Sequence, residues 1–469
     1  MNGMQCPRLL WFTEKKLLPE LTISKKHVFS AGHEFEEYVK LLYPNAVDAT
    51  SNDFMGNIRT TKRLVSEKKI VFEAGFMVDG LYARSDLLIP VGDEWDLYEV
   101  KSSTSAKPVH VVDLAFQKFV LEKSGLKINK LFVIFINRDF VKSGDIDPKK
   151  LVKIEEVTEK VDSVGGFTEN ATDFKNVMCL PKYDEYHIAQ NCNQPYACPL
   201  KKECWGTLPE NNVLQLTSHH VYWKLFREGV IELGDVPIDT KLNEKDEIII
   251  RALKESPQVN KPKIKEFLGK LNYPLFHFDF ETFDTTIPLF DYSKPYQKMP
   301  FQYSLHVEQK NGDLDHKEFL SVGGDPRPEL LKQMKKDLEG PGSIIVYNKS
   351  FEISVMRQLA IDFPKEKEWL DSAIERVVDL AEPFQKFYYY NKSQKGSYSI
   401  KKVLPAITGK SYSNLEINNG ADASMLYFYT HIKPDENFNK EKVRKNLLTY
   451  CGLDTESMVW IIQELKKMV

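Results

Sequence analysis

The chain has 469 residues, 42% hydrophobic and 28% charged, and its 64 basic against 67 acidic side chains leave a net charge of −3. That composition supports more than one packed core and excludes a histone-like chain whose hold on phosphate shows in bulk charge. No apolar run approaches the ~18 residues of a membrane span, residues 1–10 lack the pattern of a signal peptide, and six cysteines are too few for a disulfide scaffold; the expected location is the cytoplasm.

Residues 30–42 (SAGHEFEEYVKLL) carry apolar positions at helical spacing and predict an amphipathic helix. Residues 70–78 and 81–89 predict two strands joined by a turn at Asp79-Gly80, and a turn at Val91-Gly92-Asp93 leads into a third at 95–101. A helix at 112–123 and a buried strand at 130–137 complete an order expected of an α/β layer domain, bounded at about residue 205. Residues 206–272 turn helical and read as a connector. A second α/β pattern spans 273–469: the strand PLFHFDFETF, a buried strand at 343–347, a helix from about Ser350 and a long closing helix at 441–468. Residues 321–328 and 394–399 read as exposed loops, and Cys179 and Cys451 as ordinary buried thiols.

Three constellations carry chemistry. Glu99 and Lys101 lie two apart on one strand and share a face; the turn near Gly92 lets Asp86 join them from the neighbouring strand. Two such carboxylates bind Mg²⁺ through oxygen, and a lysine beside them stabilises charge at a phosphate. A salt-bridged strand pair is the plain alternative. Cys6 stands near the start, and Cys192, Cys198 and Cys204 follow with five residues between neighbours. Four thiolates hold Zn²⁺ or a [4Fe–4S] cluster, and spacing alone does not choose. In PLFHFDFETF, His277, Asp279 and Glu281 share one face and Phe276, Phe278 and Phe280 the other; two acids on an otherwise buried strand are costly unless a cation or partner neutralises them. Glu352 falls in the first turn of the next helix, where it could simply favour the helix start, and Tyr450 and Asp454 are i and i+4 on the last helix.

The stretch around Asp86, Glu99 and Lys101 resembles the RecB-type branch of the PD-(D/E)XK nucleases, which includes CRISPR-associated adaptation nucleases and AddB-like helicase-nuclease subunits. The resemblance implies a restriction-endonuclease-like fold, a further metal ligand on the preceding helix and a glutamine on the helix after the core strand. Glu36 stands where that ligand is usually His, with His33 adjacent, and Gln117 fits the glutamine, with Asp113 one turn before it and Leu121 where a Tyr is usual. The same likeness implies that Cys6 and the trio hold a [4Fe–4S] cluster that staples residues 1–205, with Zn²⁺ as the alternative. Asp279, Glu281, Glu352, Asp454 and Tyr450 together resemble the DnaQ-like DEDD exonucleases of the tyrosine subtype, which have an RNase H-like α/β fold. This implies four acids around two Mg²⁺ or Mn²⁺ ions about 3.5–4 Å apart, with Tyr450 beside the attacking water. Glu352 stands where Asp is usual, and Asp379 is an acid at a strand end that could assist or be structural.

Taken whole, the chain resembles a prokaryotic group that fuses a RecB-like nuclease to a DnaQ-like domain. That implies a dual nuclease acting on nucleic acid, most readily DNA ends, in repair, CRISPR adaptation or phage defence. One active centre with the other domain as a binding scaffold, or a non-enzymatic metal-stapled adaptor, are the alternatives. Residues 385–402 mix aromatic and basic side chains, which suits single-strand binding or a tyrosine core equally.

Overall fold

Two large sheets and a two-stranded one organise the chain, described here by a computed structural model over residues 1–469, apart from the side chain of Thr168. The fold class is mixed α/β. The chain divides into two units: Met1–Gly206 with Thr285–Gln297, and Thr207–Asp284 with Lys298–Val469. The stretch expected as a connector thus falls within the second unit from Thr207 onward.

The first sheet runs in chain order: β1 (Val47–Asp48), β2 (Val71–Val78), β3 (Leu81–Val91), β4 (Glu94–Lys101), β5 (Ile128–Ile136) and β6 (Val152–Glu156). The β2–β3 turn has positive φ at both Asp79 and Gly80, 52° and 74°, the conformation a two-residue hairpin needs. β4 and β5 run parallel because the helix Pro108–Lys123 crosses between them. One face of the sheet buries Val71, Leu97, Leu131 and Val133 against Leu64, Leu114 and Val120. The other packs Phe72, Leu87, Val100 and Ile134 against Phe35 and Val39 of the helix Ile23–Lys40 and against Ile287. That helix begins earlier than its apolar pattern predicts, since the Thr22 hydroxyl accepts from Lys25 N and caps it.

In the second unit a two-residue strand β7 (Gln258–Val259) precedes the main sheet: β8 (Leu275–Phe283), β9 (Met299–Glu308), β10 (Leu314–Leu320), β11 (Ile344–Val346) and β12 (Val377–Asp379). A last strand, β13 (Tyr389–Tyr390), pairs with β7. The main order is β10-β9-β8-β11-β12, antiparallel across the first three and parallel across the last three. Phe276, Phe278 and Phe280 join Tyr303, Leu305, Val355 and Leu359 in the core of one face. On the other face the closing helix Lys440–Lys467 is seated by polar contacts: Thr455 Oγ1 lies 2.7 Å from Ser304 Oγ and 2.8 Å from His306 Nδ1, and Gln302 donates to Leu447 O at 2.9 Å.

Some expectations need correction. Cys179 is exposed, at the end of a helix, and not buried. The segment 394–399 is a loop, but Gln394 within it is fully buried. Tyr389 and Tyr390 are core residues, 2% and 1% exposed, and so unavailable for stacking on bases. No helix among the described residues is long and apolar enough to cross a membrane.

Candidate functional site

The hairpin and the parallel strand place the first group of residues. Asp86 lies one step beyond the Leu87↔Tyr98 pair and accepts from Val100 N at 2.7 Å, which holds it beside β4. Glu99 is 2% exposed; one oxygen pairs with Lys101 Nζ and the other accepts from Gln117 Nε2 at 2.6 Å. Asp113 lies 3.9 Å from Lys101 Nζ. Burial pushes Asp86 up to about 6 and Glu99 well above the carboxylate range, while the acids around Lys101 outweigh its burial and hold it firmly protonated. Glu36 adds negative potential at Asp86, and His33 turns outward, its Nδ1 3.1 Å from Glu36 Oε2.

The hairpin register brings in a residue that motif reading overlooked. Glu73 sits between the pairs Phe72↔Leu87 and Ala74↔Ser85, opposite Asp86. Its φ is 57°, rare for a side-chain-bearing residue in a strand. Asn57 secures the distortion by donating to both Glu73 O and Ala49 O at 2.8 Å. Burial, then the opposing Arg84, and then the neighbouring Asp86, Glu36 and Asp48 leave Glu73 at about 7; Arg84 Nε lies 2.8 Å from it.

The second group assembles from three segments of the second unit. β8 presents Asp279 and Glu281, the start of the helix Lys349–Asp362 presents Glu352, and the closing helix presents Tyr450 and Asp454. Glu281, Glu352 and Asp454 are 7%, 2% and 8% exposed, while Asp279 keeps part of its surface in water. Glu352 Oε2 is buried without a hydrogen-bond partner. Burial, then the charge of neighbouring acids, drives Asp279 and Glu281 well above the carboxylate range. Burial likewise takes Glu352 to about 8 and Asp454 to about 6. Burial, then Asp454, also pushes the Tyr450 hydroxyl up, so it stays protonated at neutral pH.

Three further residues complete this group. Tyr412 donates to Asp454 at 2.7 Å. Lys401 is the cation opposing the charge of Asp279, Glu281 and Asp454, and lies 5.4 Å from the Tyr450 ring centre. Cys451 is buried as expected, but its surroundings are not purely apolar: Sγ is 3.9 Å from Asp279 O, and with Asp279 and Glu281 it gives three donor atoms within 4.8 Å of one another. Asp379 accepts from the amides of Asn348, Lys349 and Ala381, at the turn from which Glu352 projects. His277 lies 3.2 Å from Glu308 on the same strand pair.

The four expected cysteine ligands are neighbours. Cys6, Cys192 and Cys204 all lie close enough to influence one another or Cys198 electrostatically, and Cys198 N donates to Cys192 O at 2.9 Å. Cys192 and Cys204 are buried; Arg8, 3% exposed, packs beside Cys204 and pairs with Glu203. No three of the four thiols come within 4.8 Å of one another among the described residues.

Residues 276–399 match a family described as "Domain of unknown function (DUF2779)". The chain is 26% identical over 229 residues to "Uncharacterized protein UU173" of Ureaplasma parvum, covering 44% of this chain and 33% of that protein. It is 27% identical over 229 residues to "Uncharacterized protein MG366" of Mycoplasma genitalium, covering 44% and 34%. The match to the Mycoplasma pneumoniae "Uncharacterized protein MG366 homolog" is 26% over 220 residues, 42% and 33%. The chain spans about a third of the length of these curated relatives. No solved structure matches it.

Proposed function

We propose that the chain is a metal-dependent nuclease with two phosphodiester-hydrolysing centres, acting in the cytoplasm on nucleic acid, most readily DNA ends. The observation that carries this reading is the second group: acids from three separated segments converge, and Glu352 Oε2 is buried with no partner. Like charges so placed repel unless cations join them. The oxygen-rich donor set suits Mg²⁺ or Mn²⁺, with Asp279, Glu281, Glu352 and Asp454 as ligands. Such ions, when bound, supply charge neutralisation at the attacking and leaving oxygens. Tyr450, as a protonated hydroxyl beside Asp454, would orient the attacking water. The strand order β10-β9-β8-β11-β12 supports an RNase H-like, DnaQ-type assignment and with it 3′ to 5′ exonuclease action.

In the first unit, the helix, three antiparallel strands, crossover helix and parallel strand support a PD-(D/E)XK, RecB-like assignment. Glu36, Asp86 and Glu99 would hold the cation, Lys101 would stabilise charge at the scissile phosphate, and Gln117 orients Glu99 and would approach substrate. The four cysteines fit a staple between the start and end of this unit. Four thiols gathered from both ends of this unit suit a [4Fe–4S] cluster, with Zn²⁺ as the alternative. A pairing of such centres suits end processing in repair, CRISPR adaptation or phage defence.

The test is degradation of end-labelled single- and double-stranded DNA and RNA with Mg²⁺ or Mn²⁺, using Lys101→Ala, Asp279→Ala and the double variant. Each single change should remove part of the cleavage and the double change all of it. Undiminished metal-dependent cleavage in the double variant would overturn the reading.

A further inference from the structure

We infer that the first unit carries a single-strand binding pocket beside Lys101, in which Lys107 and Arg138 take backbone phosphates and Tyr196 stacks on a base; this rests on the nuclease reading above. A cavity of about 420 Å³ opens where β4 ends and the helix Pro108–Lys123 begins. Its lining includes Lys101, Lys107 and Arg138 and no carboxylate. That is a local reversal of charge in a chain whose net charge is −3, immediately next to the acids Glu99 and Asp86. Ser102, Ser103 and Thr104 line the same cavity, and Ser103 donates its hydroxyl to Ser105 O at 2.8 Å. Cations and hydroxyl donors without competing acids are what a phosphodiester backbone requires.

Two tyrosines face this cavity from distant parts of the sequence. Tyr296 hydrogen-bonds Ser102 O and so closes one side. Tyr196 is 57% exposed, an open ring at the rim. Its backbone is anchored: Gln5 Nε2 donates to Tyr196 O at 2.7 Å and to Asn191 O at 2.8 Å, and Cys198 N closes the loop on Cys192 O. An aromatic face on a fixed loop beside a basic groove is the pairing that binds unpaired bases with little sequence preference. Lys101 belongs to both the cavity and the acidic group, so a strand held here by its phosphates runs directly to the proposed cleavage point.

The experiment uses the full chain in EDTA, where metal-dependent cleavage stops, and a fluorescent single-stranded oligonucleotide followed by anisotropy across a salt series. Each phosphate contact to single strands contributes about 0.7 to the slope of log affinity against log salt. Lys107→Gln with Arg138→Gln should therefore lower that slope by about 1.4 and weaken binding about 25-fold at about 0.1 M salt. Tyr196→Ala should weaken binding about tenfold or more and leave the salt slope unchanged. A halogenated-uracil oligonucleotide should photocrosslink to Tyr196, and a blunt duplex of the same length should bind more weakly. Wild type that binds no oligonucleotide overturns the nuclease reading together with this pocket. Wild type that binds, with variants of unchanged affinity and slope and crosslinks only in the second unit, overturns the pocket alone.

Discussion

Replacing Glu352 by Gln should stabilise the cation-free protein at alkaline pH. Burial lifts this carboxyl from 4.5 to about 8, and Oε2 has no partner to offset the desolvation. A carboxyl held higher in the folded chain than in the unfolded one favours folding below the unfolded value. That advantage is lost as pH rises from about 4.5 through about 8. The interval is worth at most about 5 kcal/mol, at about 1.36 kcal/mol per pH unit. Gln removes the charge but leaves a buried amide short of partners, a loss of about 1–3 kcal/mol. The variant should therefore be about 2–4 kcal/mol more stable than wild type above about pH 8, and about 1–3 kcal/mol less stable near about pH 4. Urea unfolding in EDTA across this pH range measures the difference, with the slope against denaturant expected to stay constant. Added Mn²⁺ should reverse the ranking, since the folded wild type gains more from binding the ion. A stability difference that does not change with pH would refute the reasoning, because it would mean that Glu352 carries no strained charge.

Three other outcomes are expected. Tyr412→Phe removes the 2.7 Å bond to Asp454, so the Asp454 carboxyl should rise further above about 6; Mn²⁺ uptake followed calorimetrically should then shift to higher pH. Asn57→Ala strands the carbonyls of Ala49 and Glu73 and should cost about 2–4 kcal/mol in urea unfolding; a loss under about 0.5 kcal/mol would show the positive-φ backbone at Glu73 to be self-supporting. Cys192→Ser should abolish absorption near about 400 nm in anaerobically purified protein, the band of iron–sulfur ligation, and lower the melting temperature of the first unit, whereas Cys179→Ser, at an exposed position, should do neither.

The residues differ in how far the sequence exposes them. Glu73 was within reach: a two-residue turn at Asp79-Gly80 pairs positions summing to 159, which sets Glu73 opposite Asp86. Cys451 was also reachable, three residues before Asp454 on one helix face. Lys401 and Tyr412 were not: Lys401 lies in the aromatic and basic stretch 385–402, whose pattern gives no sign of the acids it faces, and Tyr412 reaches Asp454 by tertiary packing from a segment with no motif of its own. β9 escaped because both its faces are covered: Gln302, Ser304 and His306 are buried under the closing helix, so the usual polar–apolar alternation reports no exposed side. The acids of β8 stood out for the opposite reason, being charges in a run that is otherwise aromatic.

The segment Thr285–Gln297 leaves the chain between β8 and β9 yet belongs to the first unit, where Ile287 is 4% exposed among Phe35, Val100 and Ile134. Neither unit is therefore a continuous stretch of polypeptide. During synthesis the first unit lacks a piece of its core until about ninety residues beyond Gly206 have been added, and by then β8 has emerged without β9. The two units consequently share a folding schedule. A gene cut at the apparent boundary near residue 206 would yield a first unit with an open seam at Ile287, and a useful fragment would have to carry 285–297 grafted back.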